Sequence, residues 1–410
     1  MKTCLRFFIS AFAGVMALAS VQSFAADKGG TAANFSGHMR TRFEMVDNQN
    51  AAKTKWGEQF LNRARVNMDL MPMDSLKVRI TPQANWQWST PSANKANLYL
   101  YEGWMSWMPS DSVSLWVGRQ EIVYGKKRIF TAKDWSQEGA THDSARVRFS
   151  YDMGTSDLFW VKLDENQINA ENQINAGGSV AKRAPDTDLL ALYNSFNLSE
   201  QTGFLNSADV YATLLLNQAK ASKTNYFMVG TLLDGGMNDF DYNLEFAGQF
   251  GKIEGVKSQK GLLAAAEAGY TFMEKHRIGV EGVYTNSEWR DLVGTDHAHL
   301  GKADLVKFES GVMALAAKTK FQLSNEFDAA VDGWYFMKSK KDGVNPSTFG
   351  ERTAGKRGVG FEIDLAVGYN AEDNLRFDLG YNLFMPNGST KLSGFSATSS
   401  DMHVQGTLKF

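Results

Sequence analysis

From Phe35 onward the chain alternates. Phe35, Gly37, Met39, Thr41, Phe43 and Met45 occupy one set of positions, and Ser36, His38, Arg40, Arg42 and Glu44 the other. The pattern returns after a polar gap: Phe60, Ala64, Val66, Met68 and Leu70 oppose Leu61, Arg63, Arg65, Asn67 and Asp69. It returns again with Leu76, Val78, Ile80, Ala84, Trp86 and Trp88 against Lys77, Arg79, Thr81, Gln83, Asn85 and Gln87. A helix would repeat its apolar positions at three- and four-residue steps, and these segments do not. They predict strands with one apolar and one wet face.

Short turns separate some of the strands, at Met71-Pro72-Met73-Asp74, Met108-Pro109-Ser110-Asp111, Asp152-Met153-Gly154, Asp234-Gly235-Gly236, Met273-Glu274-Lys275, Ser324-Asn325 and Ala371 to Asn374. Long polar stretches separate the others, centred near Asn50, Ala93, Asp134, Ala176, Lys223, Glu254, Asp296, Asn345 and Gly394. Short turns at one end, long loops at the other and an even strand count are the plan of a transmembrane barrel. The segmentation predicts an all-β, antiparallel up-and-down barrel of about 18 strands, with 16 as the fallback. A secreted β-sandwich or β-helix is the alternative, and evenly spaced strands with aromatic ends suit it less. The last strand alternates through Met402, Val404, Gly406 and Leu408 to a terminal Phe410. A C-terminal strand ending in Phe resembles the signal read by the outer-membrane barrel assembly machinery, which makes that machinery an expected partner.

Composition agrees with this plan. Aromatics are 12% and mean hydropathy is only −0.33, with 37 glycines and 7 prolines. No stretch after the N-terminus reads as a membrane helix, whereas a barrel shows lipid only every second residue and so averages to a polar value. Lys2 and Arg6, the apolar run from Leu5 to Ala19 and the small residues of Ser23-Phe24-Ala25 predict a signal peptide over 1–25, leaving a single barrel domain over 26–410. Cys4 lies in that signal, so the expected mature chain has neither disulfide nor thiolate. Without Lys2 and Arg6 the 43 basic residues become 41, against 45 acidic, and no nucleic-acid surface is implied.

Enzyme readings find no support, and no cofactor is expected. Asp296-His297-Ala298-His299 offers metal ligands without a third at helical spacing and reads as loop histidines at the surface. Gly394-Phe395-Ser396-Ala397-Thr398 lacks the second glycine of a nucleophile elbow. Gly358-Val359-Gly360 is half of a phosphate-loop motif and reads as the start of a strand. The repeated Glu165 to Ala170 and Glu171 to Ala176 hexapeptide is a local loop duplication.

The candidate working residues are charges facing the lumen. Early strands point Arg40, Arg42, Arg63, Arg65, Lys77, Arg79, Arg146 and Arg148 inward, and later strands point Asp241, Glu245, Glu267, Glu281, Asp328, Asp332, Glu362, Asp364 and Asp378 inward. This predicts a pore with a basic wall facing an acidic one, able to orient and select ions.

One region goes further. Val117-Gly118-Arg119-Gln120-Glu121-Ile122-Val123-Tyr124-Gly125 leads through Lys126-Lys127-Arg128 to Asp134-Trp135-Ser136, and then to Thr141-His142-Asp143-Ser144-Ala145-Arg146-Val147. Phe240-Asp241-Tyr242, Gln249-Phe250-Gly251, Ala268-Gly269-Tyr270 and Glu362-Ile363-Asp364 follow it. These motifs resemble the alginate export family of outer-membrane channels. The resemblance implies a monomeric 18-stranded barrel whose arginine-rich constriction passes an anionic polysaccharide, with Arg119, Arg128, Asp134, Asp143 and Arg146 as matching pore or loop residues. The acids on the later strands depart from a uniformly electropositive conduit.

Alternation places Arg119 with the apolar Val113, Leu115 and Val117, so it either sits in the external collar or is turned inward by a bulge near Gly118; bulges at glycines near rims favour the second. The loop from Tyr124 to Asp143, carrying Lys126, Lys127, Arg128, Lys133, Asp134 and Trp135, is expected to fold back into the barrel mouth. There Asp134 or Asp143 would pair with inward arginines such as Arg119 or Arg146. The expected function is a porin-like channel for hydrophilic, anionic solutes, set in outer-membrane lipid and lipopolysaccharide. A plugged adhesive or receptor barrel is the alternative.

Overall fold

The computed structural model describes residues 32–47, 57–88, 96–164, 187–217, 224–252, 258–291, 295, 297–308, 311–343, 346, 350–351, 355–387, 390–391 and 398–410. The expected signal peptide, the hexapeptide repeat and Asp296 lie outside them. Eighteen strands form one sheet: β1 (Ala32–Asp47), β2 (Gly57–Met73), β3 (Leu76–Gln87), β4 (Asn97–Ser110), β5 (Val113–Gln120), β6 (His142–Tyr151), β7 (Gly154–Asp164), β8 (Thr187–Asn197), β9 (Leu205–Asn217), β10 (Thr224–Met237), β11 (Phe240–Lys252), β12 (Gln259–Phe272), β13 (His276–Thr285), β14 (Val312–Gln322), β15 (Phe327–Lys338), β16 (Gly358–Glu372), β17 (Leu375–Pro386) and β18 (Ser399–Lys409). Each pairs antiparallel with its chain neighbour, and β18 pairs with β1 from Lys409↔His38 to Ser400↔Asp47. The sheet has no free edge. Gly37 and Phe410 exchange both backbone hydrogen bonds, at 2.8 and 3.1 Å, so the terminal phenylalanine completes the closure.

The pleat sorts the side chains. Phe246, Val280, Leu315 and Phe361 are exposed on the outer face, while Arg40, Arg42, Arg63, Thr81, Gln83 and Glu362 are buried inside. Ring pairs gather near both rims: Phe43–Phe60 (4.5 Å) and Phe60–Trp88 (5.1 Å) toward the loops, and Phe327–Tyr369 (4.5 Å) toward the turns. Such girdles sit at the headgroup level. An arginine forced onto the lipid face at mid-bilayer would cost about 2–4 kcal/mol, which holds the register against a one-residue slip. No described helix is long and apolar enough to cross a membrane; the chain crosses with strands.

One expected turn is misplaced. Asp234, Gly235 and Gly236 stay in β10, paired with Asn243, Tyr242 and Asp241, and the chain reverses at Asn238 and Asp239. Asn238 adopts positive φ there, the backbone a tight turn requires and asparagine tolerates. A further connection, between β8 and β9, contains the one-turn helix Ser199–Thr202.

Candidate functional site

β5 has only eight residues and β6 ten, so the chain leaves the wall partway along the barrel instead of at its rim. The loop between them, residues 121–141, lies inside the barrel. Its first half docks on an apolar patch of the inner wall. Ile122, Ile129 and Phe130 are buried against Phe159 of β7, Tyr193 of β8 and Tyr211 of β9. Tyr124 stacks on Tyr193 at 4.3 Å and on Phe159 at 5.3 Å, and its hydroxyl donates to Asp157 at 2.5 Å. The loop reaches deep, for Lys126 pairs with Asp234 near the turn end of β10. Lys127 next to it is exposed.

Arg128 marks the end of this patch. Its guanidinium donates to Glu281 at 2.7 Å, Glu245 at 3.1 Å and Asn243 at 3.4 Å, with both carboxylates almost wholly buried. Burial alone would lower the Arg128 pKa, but Glu281 and Glu245 outweigh it and raise it.

The second half crosses to β1 and β2. Arg40 donates to the Asp134 carbonyl at 2.7 Å and the Ser136 carbonyl at 3.0 Å, and Arg42 to the Trp135 carbonyl at 2.9 Å. Arg63 and Arg65 meet the Asp134 carboxylate at 2.7 and 3.0 Å. Burial would push this carboxyl up, yet Arg63, Arg65 and Arg40 hold it below the ordinary carboxylate range. Trp135 lies between the Arg42 guanidinium, 3.9 Å from the ring centre, and the parallel ring of His297 at 4.1 Å.

His297 belongs to a second inward loop, between β13 and β14. His299 bonds the Lys126 carbonyl at 2.7 Å and Thr295 donates to the Arg128 carbonyl at 3.0 Å, so the two loops brace each other. Leu300, Val306 and Phe308 are buried in the apolar interior. Successive amides of this loop donate to the wall: Lys302 to Asp364 at 3.2 Å and Ala303 to Glu362 at 2.9 Å. Gly301 allows that approach, since a Cβ there would stand 2.3 Å from Glu362 Oε1 and its φ is +83°. The expectation of surface histidines is therefore corrected. Burial, with Arg128 adding to it, pushes His299 down to about 4.

The two charged walls also differ from expectation. Lys77 (3.1 Å) and Arg79 (2.7 Å) are both spent on Asp69, and Arg148 is bound to Asp157 at 2.6 Å. The later strands supply their own cations, which the sequence reading missed. Arg277 meets Asp241 and Glu267, Lys318 meets Glu267 and Glu281, and Arg376 meets Asp328 and Asp378. Asp332 faces Lys302 at 3.7 Å. Arg146 lies over Trp116 at 4.4 Å, away from Asp134.

Arg119 is not in the lumen. The β5–β6 register runs through Gly118 without a shift, so Arg119 stays on the outer face, half-buried and joined to its cross-strand neighbour Asp143 at 2.9 and 2.7 Å. Asp143 accordingly belongs to β6 and not to the inner loop. Asp134 meets the arginines of β2, not Arg119 or Arg146 as expected.

The family model described as alginate export matches residues 30–391. No curated protein matches the chain in sequence. Among solved structures, Pseudomonas aeruginosa OccK5 (OpdH) is similar at 11% identity and a TM-score of 0.62, covering 92% of this chain and 98% of its own. Pseudomonas aeruginosa OccK11 (OpdR) is similar at 12% and 0.60, covering 95% and 99%. The outer membrane protein opdK from the same organism follows at 9% and 0.60, covering 92% and 98%. At these identities the likeness is one of fold.

Proposed function

The chain belongs to the alginate export family, and on that premise we propose that it passes hydrophilic, anionic solutes by diffusion through a lumen narrowed by the β5–β6 loop. Its place in the outer membrane and its nature as a barrel channel follow from the family and the closed 18-stranded fold. The preference for anions rests on one observation. Arg40, Arg42, Arg63 and Arg65 converge on Asp134 to Ser136, and the carboxylates paired with them are Asp134, Glu44 and Glu121. Four guanidiniums against these three carboxylates leave positive charge to spare on this wall, where low-dielectric surroundings focus the field.

In this reading Arg40, Arg42, Arg63 and Arg65 line the pore, Asp134 and Trp135 form the constriction, and Arg128 anchors the loop that carries them. The acids of the later strands, each already bonded, serve the wall more than the solute. Purified chain in planar bilayers under a salt gradient tests it. Stepwise currents with an anion-selective reversal potential are expected, and a cation-selective reversal potential would remove the anionic preference. A closed surface barrel is the second reading, favoured by the apolar packing of both loops inside; it predicts no current steps.

A further inference from the structure

Among the described residues, two spaces inside the barrel lie along the seam where β18 closes on β1. The upper, of about 470 Å³, is lined by Glu44 and Val46 of β1, Asp401 and His403 of β18, and Trp135 and Asp304 of the loops. The lower, of about 300 Å³, is lined by His38 and Arg40 of β1, Gln405, Thr407 and Lys409 of β18, and Asp134. From Asp401 to Thr407 is roughly 20 Å along an extended strand. The two spaces are thus stacked on one wall, and the loop passes between them with Trp135 in the upper and Asp134 in the lower. What parts them is narrow: Trp135 meets His403 edge-on at 4.8 Å, with Arg42 over its face.

His403 is itself fitted into the wall. It stands opposite Gly380 in the β17–β18 register, and a Cβ on Gly380 would lie 2.1 Å from its ring. Glycine there lets the imidazole lie back against β17 instead of projecting farther into the seam. On β7–β9 and β14–β16 the inner wall instead presents Phe159, Tyr193, Tyr211, Ala314, Trp334 and Phe336, which are covered by packing.

We propose that the permeation path follows the β18–β1 seam, and that the Trp135–His403 contact is its gate and the determinant of solute cross-section. This rests on the channel reading and specifies where in the lumen that channel runs. The two chambers differ in sign. Glu44, Asp304 and Asp401 outnumber Lys302 around the upper one, and Arg40, Arg63, Arg376 and Lys409 outnumber Asp134, Glu372 and Asp373 around the lower one by a single charge. A solute meets the size limit at Trp135 and the main cationic field below it.

Cys4, ahead of β1, is the chain's single cysteine, which makes cysteine substitution clean. Asp401→Cys and Thr407→Cys barrels in planar bilayers, treated with a cationic methanethiosulfonate, should lose about half or more of their single-channel current. Ala314→Cys, covered on β14 four strands from the seam, should lose none. Gly380→Ala should lower the current by pushing His403 into the seam, and His403→Ala should raise it. Undiminished current after treatment of both seam variants, or block at Ala314→Cys instead, overturns the seam path while leaving a channel. Absence of current from the unsubstituted chain overturns the channel reading and the path with it.

Discussion

The inner wall of β7–β9 and the inner wall of β1–β2 hold the same loop by different means. On the first, Ile122, Tyr124, Ile129 and Phe130 pack on aromatic rings, and the contact is hidden from water. On the second, Asp134 to Ser136 hang on guanidiniums, and the Asp134 side chain remains 58% exposed. Apolar burial is indifferent to ionic strength, whereas partly exposed charge contacts are screened by it. The first seat fixes the loop inside the barrel. The second places a polar backbone and one carboxylate beside the water path, where conditions can alter them.

The largest break in this division should come at Arg128, the boundary between the seats. Arg128→Ala strands Glu245 in a buried site, leaves Glu281 to Lys318 alone, and should cost loop docking about 3–5 kcal/mol, seen as rapid protease cutting within residues 121–141. Protection equal to the unsubstituted chain would refute Arg128 as the anchor. Phe130→Ala follows, at about 3 kcal/mol from an emptied ring site. Its effect on hydrogen exchange of the loop amides should be the same in low and high salt, and a strong salt dependence would contradict an apolar seat. Asp134→Asn touches only the charged seat. It should loosen docking less than Arg128→Ala does, because Arg63 keeps the Asp134 and Ser136 carbonyls, but it should shift the reversal potential further toward anions. No shift would separate Asp134 from the permeating ion.

The smallest effect concerns acid. Docked, His299 is held neutral with its pKa near 4, while in a released loop it titrates near 6.5. Its folded value is the lower one, so its contribution to docking is complete above pH 6.5 and lost as pH falls toward 4. Asp134, also depressed, gives way only in stronger acid. Current fluctuations should therefore grow between pH 6.5 and 4, and His299→Gln should flatten that rise. An identical profile in both proteins would exclude His299 as the group that titrates.

Much of this was legible in the chain. Barrel, strand number and the inward arginines of β1 and β2 follow from period-2 alternation, because lipid tolerates no slip of a charged face. The inner loop was legible through its charged, signature-bearing stretch from Tyr124 to Asp143. Its apolar seat was not, although the signal is there. Leu158-Phe159-Trp160-Val161 and Leu189-Leu190-Ala191-Leu192 are apolar on both faces, and Phe159, Val161, Leu189 and Ala191 are buried inside. A strand with two apolar faces in a water-filled barrel requires something packed within it. Arg277, Lys318 and Arg376 escaped because Asp241, Glu267 and Asp328, which they meet across strands, lie 36 to 51 residues away. Arg119 went wrong because a glycine was read as a bulge where the register runs straight through.

The loop as a constriction set between an apolar and a cationic wall is tested most directly by removing its deep half. A chain lacking residues 126–133 loses Arg128, Ile129 and Phe130 while keeping every strand of the barrel. Its single-channel conductance, compared with that of the full chain in the same bilayer and salt, should rise clearly. An unchanged conductance would contradict a loop that narrows the pore.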